Sequence, residues 1–323
     1  MNKIILAALC ISLQTFTAGS VWASDSDLSF KPVHITDGIY SIISPSYGRP
    51  TVENQGWNSN SYFVVTDTGV LVFDTGSSEK IGKAIIGAVQ TITDKPIRWV
   101  INSHSHADHW LGNAAFADLG AEILSSPQAI DTMKNDGPLD VKAFAQMTEG
   151  ATGTPRLSLP GIIINHGEKR LFGDLEAAFI FSNDGHSPGD ILVYLPGPNV
   201  VLGGDVVSSD YLPIMTHHGN LTALIESLQA LTALNPAIIL PGHGQPTTTR
   251  SVIRDSELLR DVVKLVMNGK ANSKSPEEVT RDVVTALGPK YRSEYADFDA
   301  NSQYLVTMIY RSTVSDPDGG SGR

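Results

Sequence analysis

Four potential metal ligands fall within six residues of the chain, in the run His104-Ser105-His106-Ala107-Asp108-His109. The run directly follows an apolar segment ending in Trp99-Val100-Ile101, which predicts a buried strand. Residues two apart in extended backbone point the same way, so His104 and His106 can bind one ion from a single side. Asp108 and His109 stand where a helix is predicted to begin, so their side chains can face a second ion. The fold must therefore bring a strand end and a helix start to one place.

Three later residues of the same chemical type each follow a predicted strand, inside a turn that contains glycine. They are His186 in Gly185-His186-Ser187-Pro188-Gly189-Asp190, Asp205 in Gly203-Gly204-Asp205, and His243 in Gly242-His243-Gly244. Glycine lets the backbone approach a ligand shell without a Cβ clash. Hydrogen bonds to backbone usually explain one isolated buried histidine, but not three histidines within six residues beside an aspartate. The seven residues therefore form a candidate metal site.

Strands and helices alternate around these motifs. Short β-rich runs are predicted at 39–43, 60–65 and 70–73, then a helix at 79–91, a strand at 98–102, a helix opening near Asp108 and a strand at 122–125. Helical stretches follow from 127 to 149, with a predicted interruption at Gly137-Pro138. Strands between 161 and 203, a helix at 221–234 and a strand at 237–240 complete the pattern.

Two hairpins, 62–74 and 192–205, both have a second strand that ends at an aspartate. Two copies of one hairpin-plus-helix unit would give an α/β fold, an αββα sandwich with the metal residues along one edge. Beyond Pro246 only helices are predicted, at 251–267, 276–287 and 301–313. We therefore expect a catalytic domain over 24–250, a helical C-terminal extension over 251–313 and a disordered tail over 314–323.

Residues 1–23 have the pattern of an export signal, with a basic Lys3, an apolar run over 4–13 and the small-residue end Val21-Trp22-Ala23. The apolar run is shorter than the ~20 residues that cross a bilayer, so we expect no membrane insertion after its removal. The predicted location is periplasmic or secreted.

Removal of the signal would take away Lys3 and Cys10. The chain would then carry 22 basic and 34 acidic residues, a formal charge of −12, and no cysteine for a disulfide. A nucleic-acid partner is not expected, because clustered basic side chains are what neutralise phosphates. A small-molecule substrate is expected instead, and the sequence gives no indication of the oligomeric state.

The seven-residue pattern resembles the metallo-β-lactamase superfamily, whose hallmark is an H-x-H-x-D-H run followed by His, then Asp or Cys, then His. The resemblance covers about residues 38–246. It implies two Zn²⁺ ions per chain, one held by His104, His106 and His186, the other by Asp108, His109 and His243. Asp205 would bridge the ions, and Asp74 would support the metal loops from behind. Two such ions can share a water and lower its pKa to about 7, with Asp108 and Asp205 as the catalytic carboxylates.

Two departures separate the chain from the subclass B1 lactamases, which it otherwise resembles in the hairpin 192–205. Those enzymes have a zinc-binding cysteine where this chain has Asp205, and a lysine where it has Ser208. The chain is more similar to exported zinc hydrolases associated with quinoprotein and sulfur-oxidation systems. The resemblance implies hydrolysis of a small ester, thioester, lactone or lactam bond. A class B-type β-lactamase is the first alternative, and an iron-dependent dioxygenase of the superfamily is the second.

Five residues are candidates for substrate contact: Ser208, His218, Asn220, Tyr47 and Trp57. The last two stand in a polar, glycine-bearing loop, 45–58, which is either a mobile flap over the site or a plain surface loop.

Overall fold

The computed structural model of the protein describes residues 28–45, 48–216 and 218–312. The predicted export signal, Tyr47 and the predicted disordered tail lie outside these ranges. Among the residues that the structure describes, no helix is both long and apolar enough to span a bilayer.

The first sheet has seven strands, which lie side by side in chain order. Its first four strands pair antiparallel, and the last four pair parallel through helical crossovers. The strands are β1 (Val33–Thr36), β2 (Ile39–Ile42), β3 (Ser61–Val65), β4 (Val70–Phe73), β5 (Ile97–Ile101), β6 (Glu122–Ser125) and β7 (Ile162–Ile163). The crossovers carry α1 (Glu79–Gln90), α2 (Ala107–Trp110), α3 (Asn113–Ala117) and α4 (Pro127–Met147).

The second sheet has five strands in the order β12-β11-β10-β9-β8. They are β8 (Lys169–Phe172), β9 (Leu175–Phe181), β10 (Ile191–Leu195), β11 (Val200–Ser208) and β12 (Ile238–His243). Strands β8 to β11 pair antiparallel, and α5 (Leu221–Leu234) connects β11 to its parallel neighbour β12. Three more helices follow: α6 (Thr249–Ala271), α7 (Pro276–Tyr291) and α8 (Phe298–Ser312).

The described residues form three large apolar layers and a smaller apolar cluster around Trp110. In β3, Phe63 packs with Ile85 of α1, whereas its neighbour Tyr62 packs between the two sheets with Val193 of β10. This period of two gives each sheet one face toward the other sheet and one toward helices. The predicted αββα sandwich is therefore confirmed.

Helix α4 runs without a break through Gly137-Pro138, so the predicted interruption there is wrong. An internal proline costs a helix about 3 kcal/mol, because it removes one backbone hydrogen bond and crowds the preceding turn. Burial of Met133 and Val141 on the same face offsets this cost at about 1.5–3 kcal/mol for each side chain. Gly137 lets the helix press onto Trp110, since a Cβ there would lie 2.9 Å from the ring. Tertiary packing therefore outweighs the helix-breaking tendency of the Gly-Pro pair.

The C-terminal helices share one core with the second sheet. Val201 and Val207 of β11 lie in the same apolar cluster as Leu259 of α6 and Ile309 of α8. Helices α5 to α8 thus form the outer layer of the sandwich on this side, and the helical C-terminal region is part of the fold.

Two glycines of α1 allow a matched test of this packing. A Cβ on Gly82 would lie 2.7 Å from the carbonyl oxygen of Gly112, whereas a Cβ on Gly87 would meet nothing within 4 Å. We expect Gly87→Ala to raise the free energy of unfolding by up to about 1 kcal/mol through helix propensity. Gly82→Ala should lower it by more than about 1 kcal/mol through overpacking. Urea denaturation of both variants checks this, and equal effects would contradict the placement of α1.

Candidate metal centre

The seven ligand-type residues lie along one edge of the sandwich, where strands of both sheets end. The run 102–109 follows β5, His186 follows β9, Asp205 lies in β11 and His243 ends β12. Parallel neighbours end at the same edge of a sheet, and β11 and β12 are parallel, as are β4 and β5. The order of strands therefore brings residues up to 139 positions apart in the chain, His104 and His243, to the same place.

Three histidines and one aspartate form the first group of donor atoms. His106 Nδ1 lies 2.9 Å from His104 Nε2 and 2.9 Å from His186 Nε2. Asp205 Oδ2 lies 3.6 Å from His104 Nε2 and 3.4 Å from His186 Nε2. Ligand atoms about 2.0–2.1 Å from a tetrahedral zinc ion are roughly 3.3 Å apart, so these separations fit one such ion.

Asp108, His109 and His243 form the second group. Asp108 Oδ2 lies 3.6 Å from His109 Nε2 and 3.5 Å from His243 Nε2. Asp205 also reaches this group, with Oδ1 at 3.3 Å from His109 Nε2 and Oδ2 at 3.3 Å from His243 Nε2. Its carboxylate therefore contacts both groups.

Asp74 fixes the outward nitrogens of two of the histidines. Its Oδ2 lies 2.8 Å from His109 Nδ1 and accepts a hydrogen bond of 2.8 Å from Ser103 Oγ. Because the single Ser103 hydroxyl proton goes to Asp74, Ser103 Oγ must accept from His104 Nδ1, 2.8 Å away. Both imidazoles thus carry their proton on Nδ1 and keep an Nε2 lone pair for the cluster. The support role predicted for Asp74 agrees with these contacts.

His186 is held by its side chain and by its backbone. Its Nδ1 lies 2.6 Å from the carbonyl oxygen of Ile214, which selects the same tautomer. Asp190 Oδ2 accepts from the backbone nitrogen of His186 at 2.8 Å and from Ser182 Oγ at 2.8 Å. Sequence reasoning did not assign a role to Asp190, although it stands in the Gly-His-Ser-Pro-Gly-Asp run. The sequence feature that could have indicated this role is the position of Asp190, a carboxylate four residues after the candidate ligand His186.

The turn that carries His243 is clamped by the first sheet. Asn60 Nδ2 donates to the carbonyl oxygens of Pro241 (3.0 Å) and Gly244 (2.8 Å), and Tyr62 donates to Pro241 O at 2.6 Å. A Cβ at position 242 would lie 1.9 Å from Asp205 Oδ1, and Gly244 has a φ of +86°. Both positions therefore require glycine.

The loop before β3 is tied to the same cluster. Asn58 Nδ2 donates to Asp108 Oδ2 at 2.8 Å, and Ser59 Oγ donates to the Asp108 carbonyl at 2.5 Å. Asn58 and Ser59 were missed because a polar pair ahead of a strand has no specific signature. Trp57 packs on Phe30, with ring centroids 4.0 Å apart, beside the apolar layer under α1. This contact gives Trp57 a packing role, and substrate contact by Trp57 stays a prediction, as do the two alternatives for its loop.

The remaining substrate-contact candidates have different surroundings. Ser208 is buried at the end of β11 and pairs in register with His243, next to the cluster. Asn220 caps α5, since its Oδ1 accepts from the backbone nitrogen of Ala223 at 3.1 Å. His218 is exposed in the turn before that helix. Substrate contact by these three residues stays a prediction.

Burial and mutual repulsion set the charge of the cluster. Burial lowers the pKa of His104 and His106 well below the usual value, and the neighbouring imidazoles add to this effect. Burial opposes ionisation of Asp205, but the imidazoles of His243 and His109 hold its pKa well below the usual value. His104 and His106 are therefore neutral donors. Burial also opposes protonation of His109 and His243, but the Asp205 carboxylate raises the pKa of both. The ionised carboxylate thus attracts positive charge, which protons or a bound cation can supply.

The donor set fits a metal ion on a further observation. His109 Nε2 and Asp205 Oδ1 are buried without a hydrogen-bond partner among the described residues. Leaving such groups unsatisfied costs about 1–3 kcal/mol each, and a bound cation would satisfy both. His106, Asp205 and His243 are half-buried while the other four residues are buried, so solvent reaches the cluster from their side.

Comparison with known proteins finds a relative that matches part of the chain. A curated linear primary-alkylsulfatase from Pseudomonas sp. (strain ATCC 19151) is 22% identical over 231 residues, which cover 61% of this chain. The chain spans only 44% of that relative's length.

Two solved structures share the fold. A metallo-beta-lactamase from Pontibacter korlensis aligns with a TM-score of 0.55 and 20% identity, over 72% of this chain and 99% of that one. A stereoselective inverting sec-alkylsulfatase from Pseudomonas sp. aligns with a TM-score of 0.64 and 14% identity, over 90% of this chain and 51% of that one. An alignment over 90% of the chain must include much of the C-terminal helical region.

The sequence model of the metallo-beta-lactamase superfamily matches residues 54–243, more than half of the chain and the whole span of the seven ligand-type residues. The chain therefore belongs to the metallo-beta-lactamase superfamily.

Proposed function

We propose that the protein is an exported hydrolase that binds two zinc ions and cleaves a small, uncharged ester, thioester or lactone. The observation that carries the proposal is the convergence of seven donor side chains in two adjoining groups, with Asp205 in contact with both. The export part of the proposal is supported by the signal-like pattern of residues 1–23.

Zinc is proposed because all seven donors are imidazole nitrogens or carboxylate oxygens, a set that suits Zn²⁺ and contains no oxidisable thiolate. His104, His106 and His186 would hold one ion, Asp108, His109 and His243 the other, and Asp205 would bridge them. When bound, two such ions act as Lewis acids and lower the pKa of a nearby water.

The protein's own residues would orient the substrate and move the proton. The water oxygen bonds to the carbonyl carbon, the bond to the leaving group breaks, and one water proton must reach that group. The carboxylate of Asp108 lies on the second donor group and is oriented by Asn58, so we assign it as the proton acceptor and donor. The half-buried face formed by His106, Asp205 and His243 would admit the substrate.

Charge favours an uncharged substrate. The segments 50–79, 99–133 and 171–249 contain all seven ligand-type residues and Ser208, but not one lysine or arginine. A lactam antibiotic carries a carboxylate, and a charge-assisted hydrogen bond to a lysine would contribute about 1.5–3 kcal/mol. Ser208 offers only a neutral donor.

Sulfate-ester hydrolysis is a second candidate. It is supported by the likeness to the sec-alkylsulfatase, which extends into the C-terminal helices. The charge distribution disfavours it, because a sulfate ester is an anion. A lactamase remains the first alternative from the sequence, and an iron dioxygenase the second.

We expect the protein to bind two zinc ions per chain, and we expect the binding of both ions to depend on Asp205. Asp205→Ala should lower the occupancy of both positions, because one carboxylate contacts both groups, whereas the exposed Asp94→Ala should leave both filled. Elemental analysis of purified protein measures this. The dinuclear zinc proposal would be contradicted if the wild type held only one tightly bound ion or contained mainly iron. It would also be contradicted if Asp205→Ala lost only one of the two ions.

Asp74→Asn tests the support behind the cluster. Asparagine tolerates the φ of +63° at this position. Its single oxygen cannot accept all three hydrogen bonds that the carboxylate accepts, from the Ser103 backbone nitrogen, Ser103 Oγ and His109 Nδ1, and its NH₂ group would face one of these donors. Loss of such a partner typically weakens metal affinity by about 10- to 100-fold. Competition with a chromophoric chelator measures the affinity, and Asp94→Asn is the control. An unchanged affinity in Asp74→Asn would show that these contacts do not orient the ligands.

A matched substrate panel tests the substrate class. We expect an aryl ester or lactone to be cleaved roughly ten- to hundredfold faster, in kcat/KM, than the same compound with an added carboxylate, a carbapenem or an alkyl sulfate. The comparison uses one zinc-loaded preparation for all compounds. If the carbapenem or the alkyl sulfate is turned over faster than every ester, the lactamase or the sulfatase candidate replaces the proposal.

A further inference from the structure

We propose that the C-terminal helices position the metal centre through the segment 209–216, here called the strap, and that Asp297 is the residue that holds it. The strap leaves β11 at Ser208 and leads toward α5. The inference rests on the proposed function, since it concerns the orientation of His186 and His243 as ligands.

One side of the strap contacts two of the proposed ligands. The carbonyl oxygen of Ile214 accepts from His186 Nδ1 at 2.6 Å, and Thr216 donates from its backbone nitrogen to the carbonyl of His186 at 3.0 Å. Ser209 donates from its backbone nitrogen to the carbonyl of His243 at 3.1 Å. The strap therefore sets the tautomer of His186 and the backbone position of both histidines.

The other side of the strap is held by the turn between α7 and α8. Asp297 Oδ1 accepts from the backbone nitrogen of Leu212 at 2.9 Å, and Ala296 donates to the carbonyl of Asp210 at 2.8 Å. Leu212 and Met215 are buried in the same apolar cluster as Phe298 of α8. The strap is thus fixed by hydrogen bonds and by packing.

The turn itself is anchored inside the helical layer. Tyr295 donates to Asp255 Oδ1 at 2.6 Å, and Arg254 donates from Nη1 to the carbonyl of Glu294 at 3.2 Å. Asp297 Oδ2 accepts from Asn301 Nδ2 at 2.7 Å. A continuous series of contacts therefore runs from α6, through the turn and the strap, to His186.

This connection matters because the strap supplies the carbonyl oxygen of Ile214 as a hydrogen-bond partner of His186 Nδ1. Partners of this kind keep the imidazole in one tautomer and one orientation, so that Nε2 keeps its lone pair toward the cluster. A shift of the strap by about 1 Å would lengthen a 2.6 Å hydrogen bond beyond the normal range. Asp297 acts through Leu212 and Ile214 and touches no donor atom of the cluster, so it is a positioning residue.

The test compares three variants of the full mature protein. Asp297→Ala removes the acceptor for Leu212, Asp297→Asn keeps an oxygen there, and Asp299→Ala removes an exposed carboxylate that pairs with Arg292 in the same region. We expect Asp297→Ala to weaken zinc binding about tenfold or more at one of two positions, and the other two variants to stay within about twofold of the wild type. Chelator competition measures the affinity.

Hydrogen exchange gives a second readout that needs no metal. In Asp297→Ala the amides of Leu212 and Thr216 should exchange faster, while those of the first sheet stay protected. Tyr295→Phe removes the hydrogen bond to Asp255 and loosens the turn without changing a residue that contacts the strap. It should therefore change the zinc affinity and the amide exchange in the same direction as Asp297→Ala, but by a smaller amount. If Asp297→Ala does not fold, Tyr295→Phe replaces it in the test.

Zinc affinity and Thr216 exchange that are unchanged in Asp297→Ala would overturn the inference, as would an equal loss in Asp299→Ala. A wild type that binds no zinc would instead refute the proposed function. The exchange of Thr216 would still decide whether the helices hold the strap.

Discussion

The placement of five imidazoles and two carboxylates within a few ångströms of one another is the constraint on which the rest of the structure depends. Such a cluster is costly to bury, because each ring nitrogen and carboxylate oxygen loses its water. The structure limits the cost by giving the outward nitrogens of three of the five histidines defined partners. Asp74 serves His109 and, through Ser103, His104, while the carbonyl of Ile214 serves His186. The Nε2 atoms of these three rings face the other donor atoms of the cluster, where a bound cation would satisfy them.

Holding the cluster requires both halves of the molecule. The first sheet supplies the run 104–109 and the clamp made by Asn60 and Tyr62, and the second sheet supplies His186, Asp205 and His243. The apolar layer between the sheets keeps the two edges in register. The helical region contributes from outside through the turn at 294–297. The site is therefore a product of the whole sandwich rather than of one motif.

The sequence predicted the sandwich because two similar hairpins, each with a second strand that ends at an aspartate, recur among alternating strands and helices, and because the ligand-type residues follow predicted strands. It also located the seven ligand-type residues, since imidazole and carboxylate side chains at these spacings are rare by chance. It could not predict the partners that orient them. Asn58, Asp190 and Asp297 are ordinary polar residues whose roles depend on contacts across 50 or more positions or on a turn of precise shape. Local rules also failed at Gly137-Pro138, where packing on Trp110 overrides a helix-breaking pair.

A crystal structure of zinc-loaded protein, with data collected on both sides of the zinc absorption edge, would test the dinuclear site most directly. We expect two anomalous peaks about 3.5–4 Å apart. One should lie among His104, His106 and His186, the other among Asp108, His109 and His243, with the Asp205 carboxylate between them. A single peak, or a peak bound by other residues, would rule out a dinuclear zinc site at these seven residues.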